Sequence, residues 1–130
     1  MALSTVIHIW DDVVVLRCVG RLVLSEASDA LRERIKGLLT EGHRIVVNLS
    51  DLEHMDSVGL AIIVGLYRLG NSRIQLVCSN SHLTGVLRRT RIDTVIKLHE
   101  TEDEAVAALS GEVTPISQSL LKDRPTEIQR

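Results

Sequence analysis

The segment LEHMDSVG, Leu52 to Gly59, brings a histidine, a carboxylate and a hydroxyl together within four residues: His54, Asp56 and Ser57. These are the side-chain types of a nucleophile, its base and the group that orients the base. Three such groups in one short loop do not readily converge as a triad. Met55 also stands where a hydrolase elbow, Gly-x-Ser-x-Gly, has its first glycine. Two other chemistries suit the same residues. Asp56 or Ser57 can cap a following helix by accepting a backbone N–H. A serine in that place can also carry a phosphate, because the first N–H groups and the positive dipole end favour an anion. The added charge of about −1.5 to −2 beside Asp56 would then expel an apolar or acidic partner.

The segment behind Ser57 is almost entirely apolar: VGLAIIVGLYRLG, Val58 to Gly70. At about 100° per residue, a helix here turns Gly59, Leu60, Ile63, Leu66 and Tyr67 towards the core. The opposite stripe holds Ala61, Gly65 and Arg68, flanked by Val58, Ile62, Val64 and Leu69. An exposed helix face normally carries several charges, and this one offers only Arg68. It is expected either to lie under the chain's own tail or a neighbouring helix, or to dock another protein, with Ala61 and Gly65 permitting close approach.

The elements that position this segment alternate along the chain. TVIHIW (Thr5–Trp10) and VVVLRCV (Val13–Val19) are β-branched runs separated by Asp11 and Asp12, a hairpin, with Gly20 expected to end the second strand. Ala27, Leu31, Ile35, Leu38 and Leu39 have helical spacing, between a cap at Ser25 and a stop at Gly42. RIVVNLS (Arg44–Ser50) reads as a strand covered on both faces. Beyond the apolar helix come a strand at Arg73–Ser79, a short helix capped near Asn80 or Ser81 and a short strand at Val95–His99. A last helix begins at Thr101 and Glu104, which have capping-box spacing. After Gly111 the periodicity dissolves, and 112–130 is expected to be a flexible tail rather than a docking segment around Ile116, Leu120 and Leu121.

Composition narrows the function. With 130 residues the chain has room for one domain. Fifteen basic against 17 acidic residues, a net charge of −2 and an aromatic share of 2% argue against a nucleic-acid footprint. There is no Gly-rich phosphate loop. His8, His43, His54, His82 and His99 show no metal-ligand spacing, so neither metal nor cofactor is expected. Cys18 and Cys78 lie in apolar runs and are expected to be buried and reduced. No signal peptide or spanning segment is apparent, and the expected location is the cytoplasm.

The order of elements, together with RIVVNLSDLEHMDSVGLAIIVGLYRLG, resembles a STAS domain of the bacterial anti-sigma factor antagonist type. CVGRLVL and TEDEAVAAL are similar to that family's flanking blocks. The resemblance implies a single α/β domain over 1–111, a mixed sheet of about five strands with about four helices packed mainly on one face. It implies no enzymatic activity. Ser57 becomes the phosphoacceptor, and Asp56, Val58, Gly59, Ala61, Ile62, Gly65 and Arg68 the partner-binding residues. The implied partner is an anti-sigma factor that is also the serine kinase, which supplies the nucleotide and Mg²⁺, with a serine phosphatase reversing the modification. The family's other implied role is a scaffold or accessory subunit of a sensory or transporter-associated complex. Val58 follows Ser57 where relatives often carry a second small polar residue, leaving Ser57 the one hydroxyl of the motif.

Overall fold

In the computed structural model, which describes residues 2–113, strand β1 (Ser4–Trp10) turns directly into β2 (Val13–Leu22). Asp11 and Asp12 both adopt positive φ, 52° and 68°, so this tight turn is built from the small polar residues that tolerate the left-handed region. Next along the chain are α1 (Glu26–Thr40), β3 (Arg44–Met55), α2 (Ser57–Gly70), β4 (Ile74–Val77), α3 (Ser81–Arg89), β5 (Leu98–His99) and α4 (Glu102–Val113). The sheet order is β1-β2-β3-β4-β5. β1 is antiparallel to β2, and every later neighbour is parallel. Helical crossovers are what parallel pairing requires.

The middle strands are buried on both sides, as their unbroken apolar runs demand. Leu16, Cys18, Ile45, Val47, Leu49 and Leu76 pack with the buried faces of α1, α2 and α3. Val13, Val15, Val46 and Val77 point the other way, towards Ala105, Val106 and Leu109 of α4, with Trp10 at the edge. Each fully buried aliphatic side chain contributes about 1.5–3 kcal/mol. Both cysteines are free and buried, and burial pushes the Cys18 thiol up to about 12. That makes it a small hydrophobe rather than a reactive thiol.

Two strands run further than their patterns suggest. β2 does not end at Gly20; it continues to Leu22, with irregular pairing between Arg17 and Val19 and again between Gly20 and Arg21. Gly20 has φ +106°, and a Cβ there would run into the Ala2 carbonyl, so glycine bends the strand instead of stopping it. β3 likewise reaches Met55, which pairs with Leu22. By contrast β5 is only Leu98–His99, because Ile92–Thr94 form a 3₁₀ turn whose Ile92 carbonyl accepts from Val95 and Ile96. The residues expected to form a tail from 114 onward lie outside the described ones, and α4 itself extends to Val113.

One charged cluster fastens α4 to the sheet. The Glu102 carboxylate accepts from Arg17 Nε at 2.7 Å and Nη2 at 3.0 Å and from Asn48 Nδ2 at 2.8 Å, with His8 Nε2 at 3.8 Å. The Arg17 hydrogen bond is the largest cause holding the Glu102 carboxyl below its usual range, and burial opposes it. A depressed folded pKa means that the stabilisation is complete above the ordinary value of 4.5 and is lost as pH falls through the folded value. Glu102→Gln should therefore cost about 1–2 kcal/mol at neutral pH. In urea denaturation the gap between variant and parent should shrink as pH falls below 4.5.

Candidate functional site

Parallel pairing brings the loops after β2, β3 and β4 to the same end of the sheet, where ligand and partner sites of α/β folds gather. Asp56 is the pivot there. It is the N-cap of α2, with Oδ1 accepting from Gly59 N at 2.9 Å, while Oδ2 accepts from Leu24 N at 3.0 Å. Its own N–H donates to the Leu22 carbonyl at 3.3 Å. The Gly59 N–H, then the Leu24 N–H, hold the Asp56 carboxyl below its usual range. With both oxygens occupied by backbone N–H groups, Asp56 is not placed to orient a catalytic base. The cap role left open between Asp56 and Ser57 falls to Asp56. Ser57, the first residue of the helix, is exposed and its side chain does no capping.

The expected contact residues divide between surface and interior. Ala61, Gly65 and Arg68 are exposed, and Val58 is half-buried. Gly59 and Ile62 are both buried, and Ile62 still lines the open groove between α1 and α2. A Cβ on Gly59 would run into the Leu22 carbonyl, so the close approach that this glycine permits is to β2 of its own chain. Ile62 is 6% exposed and lies in the core cluster shared with α1, because α1 sits beside α2 and covers that flank. Arg68 borders the opposite side of α2, in a cleft with Tyr67, Asn71 and Gln75.

Between α1 and α2 runs a groove of about 520 Å³, open to solvent. Ser57 and Val58 line its upper end, Ala61 and Gly65 its wall, Leu69 its lower end, and Arg32 and Lys36 of α1 face them. Leu24, 72% exposed, stands on the loop whose Leu24 N–H is held by Asp56. Motif spacing does not single it out. The available signal is a large apolar residue immediately before the helix cap Ser25, outside any buried periodicity. Leu69 is also more than half exposed. A Cβ on Gly65 would meet nothing, so packing within the described residues does not require a glycine there.

The other sequence candidates stay apart. Among the described residues no group of three or more His, Cys, Asp and Glu is arranged to hold a metal ion, and no helix is long and apolar enough to cross a membrane. His99 is buried and bonded through Nε2 to Gln75 Oε1 at 2.9 Å. Burial, then Lys97, lowers its pKa, against Glu104.

A five-stranded mixed sheet with three helices on one face and α4 on the other, and an Asp-Ser pair opening α2, defines an α/β domain of the STAS type. The STAS domain model matches residues 4–105, and the chain belongs to that family. A Thermotoga neapolitana protein described as a candidate anti-sigma factor antagonist is 30% identical over 107 residues, 79% of this chain and 95% of its own length. The crystal structure of a candidate anti-sigma factor antagonist from Thermotoga maritima is 29% identical, with a TM-score of 0.71, covering 82% of this chain and 94% of that one. The anti-sigma factor antagonist SpoIIAA, solved in its unphosphorylated form, shares the fold at a TM-score of 0.62 and 23% identity, covering 85% of this chain and 99% of its own.

The two glycines of α2 should respond oppositely to substitution. Gly59→Ala should destabilise the fold by about 1–3 kcal/mol through overpacking against β2. Gly65→Ala should stabilise it by about 1 kcal/mol, the helix propensity difference. Urea midpoints of the two variants, measured against the parent, give both signs.

Proposed function

We infer that this domain is a phosphorylation-controlled binding module of the anti-sigma factor antagonist type. Unmodified, it docks a partner that is both anti-sigma factor and serine kinase, freeing the sigma factor; phosphate on Ser57 releases the partner. The observation that carries this reading is the exposed, uncapping Ser57 at the mouth of an apolar groove that the described residues leave open. The names of the sequence relatives support it. So does the fold likeness to SpoIIAA, a protein whose structure is also described in a phosphorylated form.

The chemistry derives from the local geometry. A kinase needs an accessible hydroxyl, and Ser57 is exposed while its neighbour does the capping. A phosphate on the first helical residue faces unpaired N–H groups, so it can be held without unfolding α2. It also stands beside the ionised Asp56 and adds about −1.5 to −2 charges to a surface that otherwise docks apolar groups. Loss of about 3 kcal/mol on docking would lower affinity roughly a hundredfold. The kinase supplies the nucleotide and Mg²⁺, and this chain contributes the acceptor and the docking face. A serine phosphatase would return the domain to its binding form, and the cycle would run in the cytoplasm.

Incubation with the cognate serine kinase and labelled ATP tests the assignment. Ser57→Ala should abolish phosphate incorporation and keep kinase binding in a pull-down, while Ser57→Asp should lose binding. Undiminished labelling of Ser57→Ala would overturn the acceptor, and a complex indifferent to Ser57→Asp would point to a permanent scaffold.

A further inference from the structure

We propose that the α1–α2 groove is the seat of an acidic amphipathic segment of the partner, read by Arg32 and Lys36 at its rim and by the apolar side chains between them and Ser57. The proposal rests on the binding-module reading and adds the chemistry of what is bound. Charge complementarity is the argument. The groove's lining is apolar over Val58, Ala61, Gly65 and Leu69, and its charged lining residues are both cations. A separate, smaller cleft of about 200 Å³ beside Leu69 and Lys36 includes Arg73, whose Nη1 donates to the Leu39 carbonyl at 2.8 Å. The groove lining thus carries two cations and no carboxylate, with Asp29 and Glu33 of α1 lying beside them outside the lining.

The cations are held loosely enough to take a new partner. Arg32 lies 3.8 Å from Asp29 and 3.4 Å from Glu33, and Lys36 lies 3.7 Å from Glu33, all at exposed positions. Such pairs are worth about 0.2–1 kcal/mol each, so exchanging them for a carboxylate on a docked segment costs little. A helix with leucine-like side chains on one side and carboxylates beside them matches this pattern, and Gly65 lets its backbone come close. Because Ser57 lines the same groove, a phosphate there would compete with the segment's carboxylates for the same two cations.

The test uses the full chain, isotopically labelled, titrated with a synthetic amphipathic helix of leucine and glutamate and, separately, with its leucine–lysine counterpart. The acidic peptide should shift the amides of Val58, Ala61, Gly65 and Leu69, and more weakly as salt is raised. The lysine peptide should leave them unmoved. Arg32→Glu with Lys36→Glu should weaken the acidic peptide at least about tenfold, since two attractions become repulsions. Arg32→Gln with Lys36→Gln, which adds no charge next to Asp29 and Glu33, should weaken it in the same direction and guards against a folding defect. Groove amides that ignore the acidic peptide, equal binding of both peptides, or undiminished binding by the glutamine pair would overturn the proposal. Kinase labelling of Ser57 is read in a separate reaction, so failure here leaves that assignment standing, and failure there leaves this binding result intact.

Discussion

The Asp56 carboxylate holds together two parts of the chain 32 residues apart, with one oxygen on the amide of Leu24, beyond β2, and the other on the first turn of α2. Both acceptor oxygens belong to an ionised group and both donors are backbone amides, the charge-assisted kind of hydrogen bond. The bond to Leu24 N sets that loop beside the helix, and the bond to Gly59 N starts the helix in register. Gly59 completes the junction, since a side chain there would run into the Leu22 carbonyl. Leu24, Ser57 and the α1–α2 groove share one surface because these contacts bring them together.

This division of labour matters for Ser57. In many helices the serine itself accepts the orphan N–H and is then tied up as a cap. Here the preceding aspartate takes that role and the serine side chain is left exposed. A phosphate on it would meet opposing influences: helix N–H groups and two groove cations that attract it, and Asp56 that repels it. Attraction would keep such a modification local, and the excess of negative charge would fall on whatever was docked. Screening is substantial at an exposed site, so proximity within the groove, rather than net charge, would decide the outcome.

Packing on both sides of the sheet supports this surface. The sheet is packed on one side by α1, α2 and α3 and on the other by α4, which Glu102 pins through Arg17 and Asn48. Further support under the site comes from Asn80, which caps α3 with its Oδ1 and donates through Nδ2 to the Leu52 carbonyl at 3.0 Å. Consecutive segments at the sheet's upper end are thus cross-linked by Asp56 and Asn80, two short polar side chains that cap helices and at once bind the loop after β2 and strand β3.

Apolar periodicity by itself determined the order of strands and helices, because alternation and helical spacing are local properties of the chain. The caps at Ser25 and Asn80 and the Thr101–Glu104 box, where Thr101 Oγ1 accepts from Glu104 N at 3.1 Å, were legible for the same reason. The Asp-Ser motif marked the candidate site, and its resemblance to a family named the fold. Only the tertiary structure decided the properties that depend on distant neighbours. Gly20 bends β2 rather than ending it, because β3 is there to keep pairing. Ile62 belongs to the core because α1 covers that flank of α2, and a helix drawn alone cannot say which of its flanks a neighbour will take. Leu24 joins the surface because a carboxylate far along the chain holds its amide, and Arg32 and Lys36 line one groove with Ser57 only because two crossover helices lie side by side. Spacing along one chain records which residues share a face; which face another segment covers is decided by packing across the whole sheet.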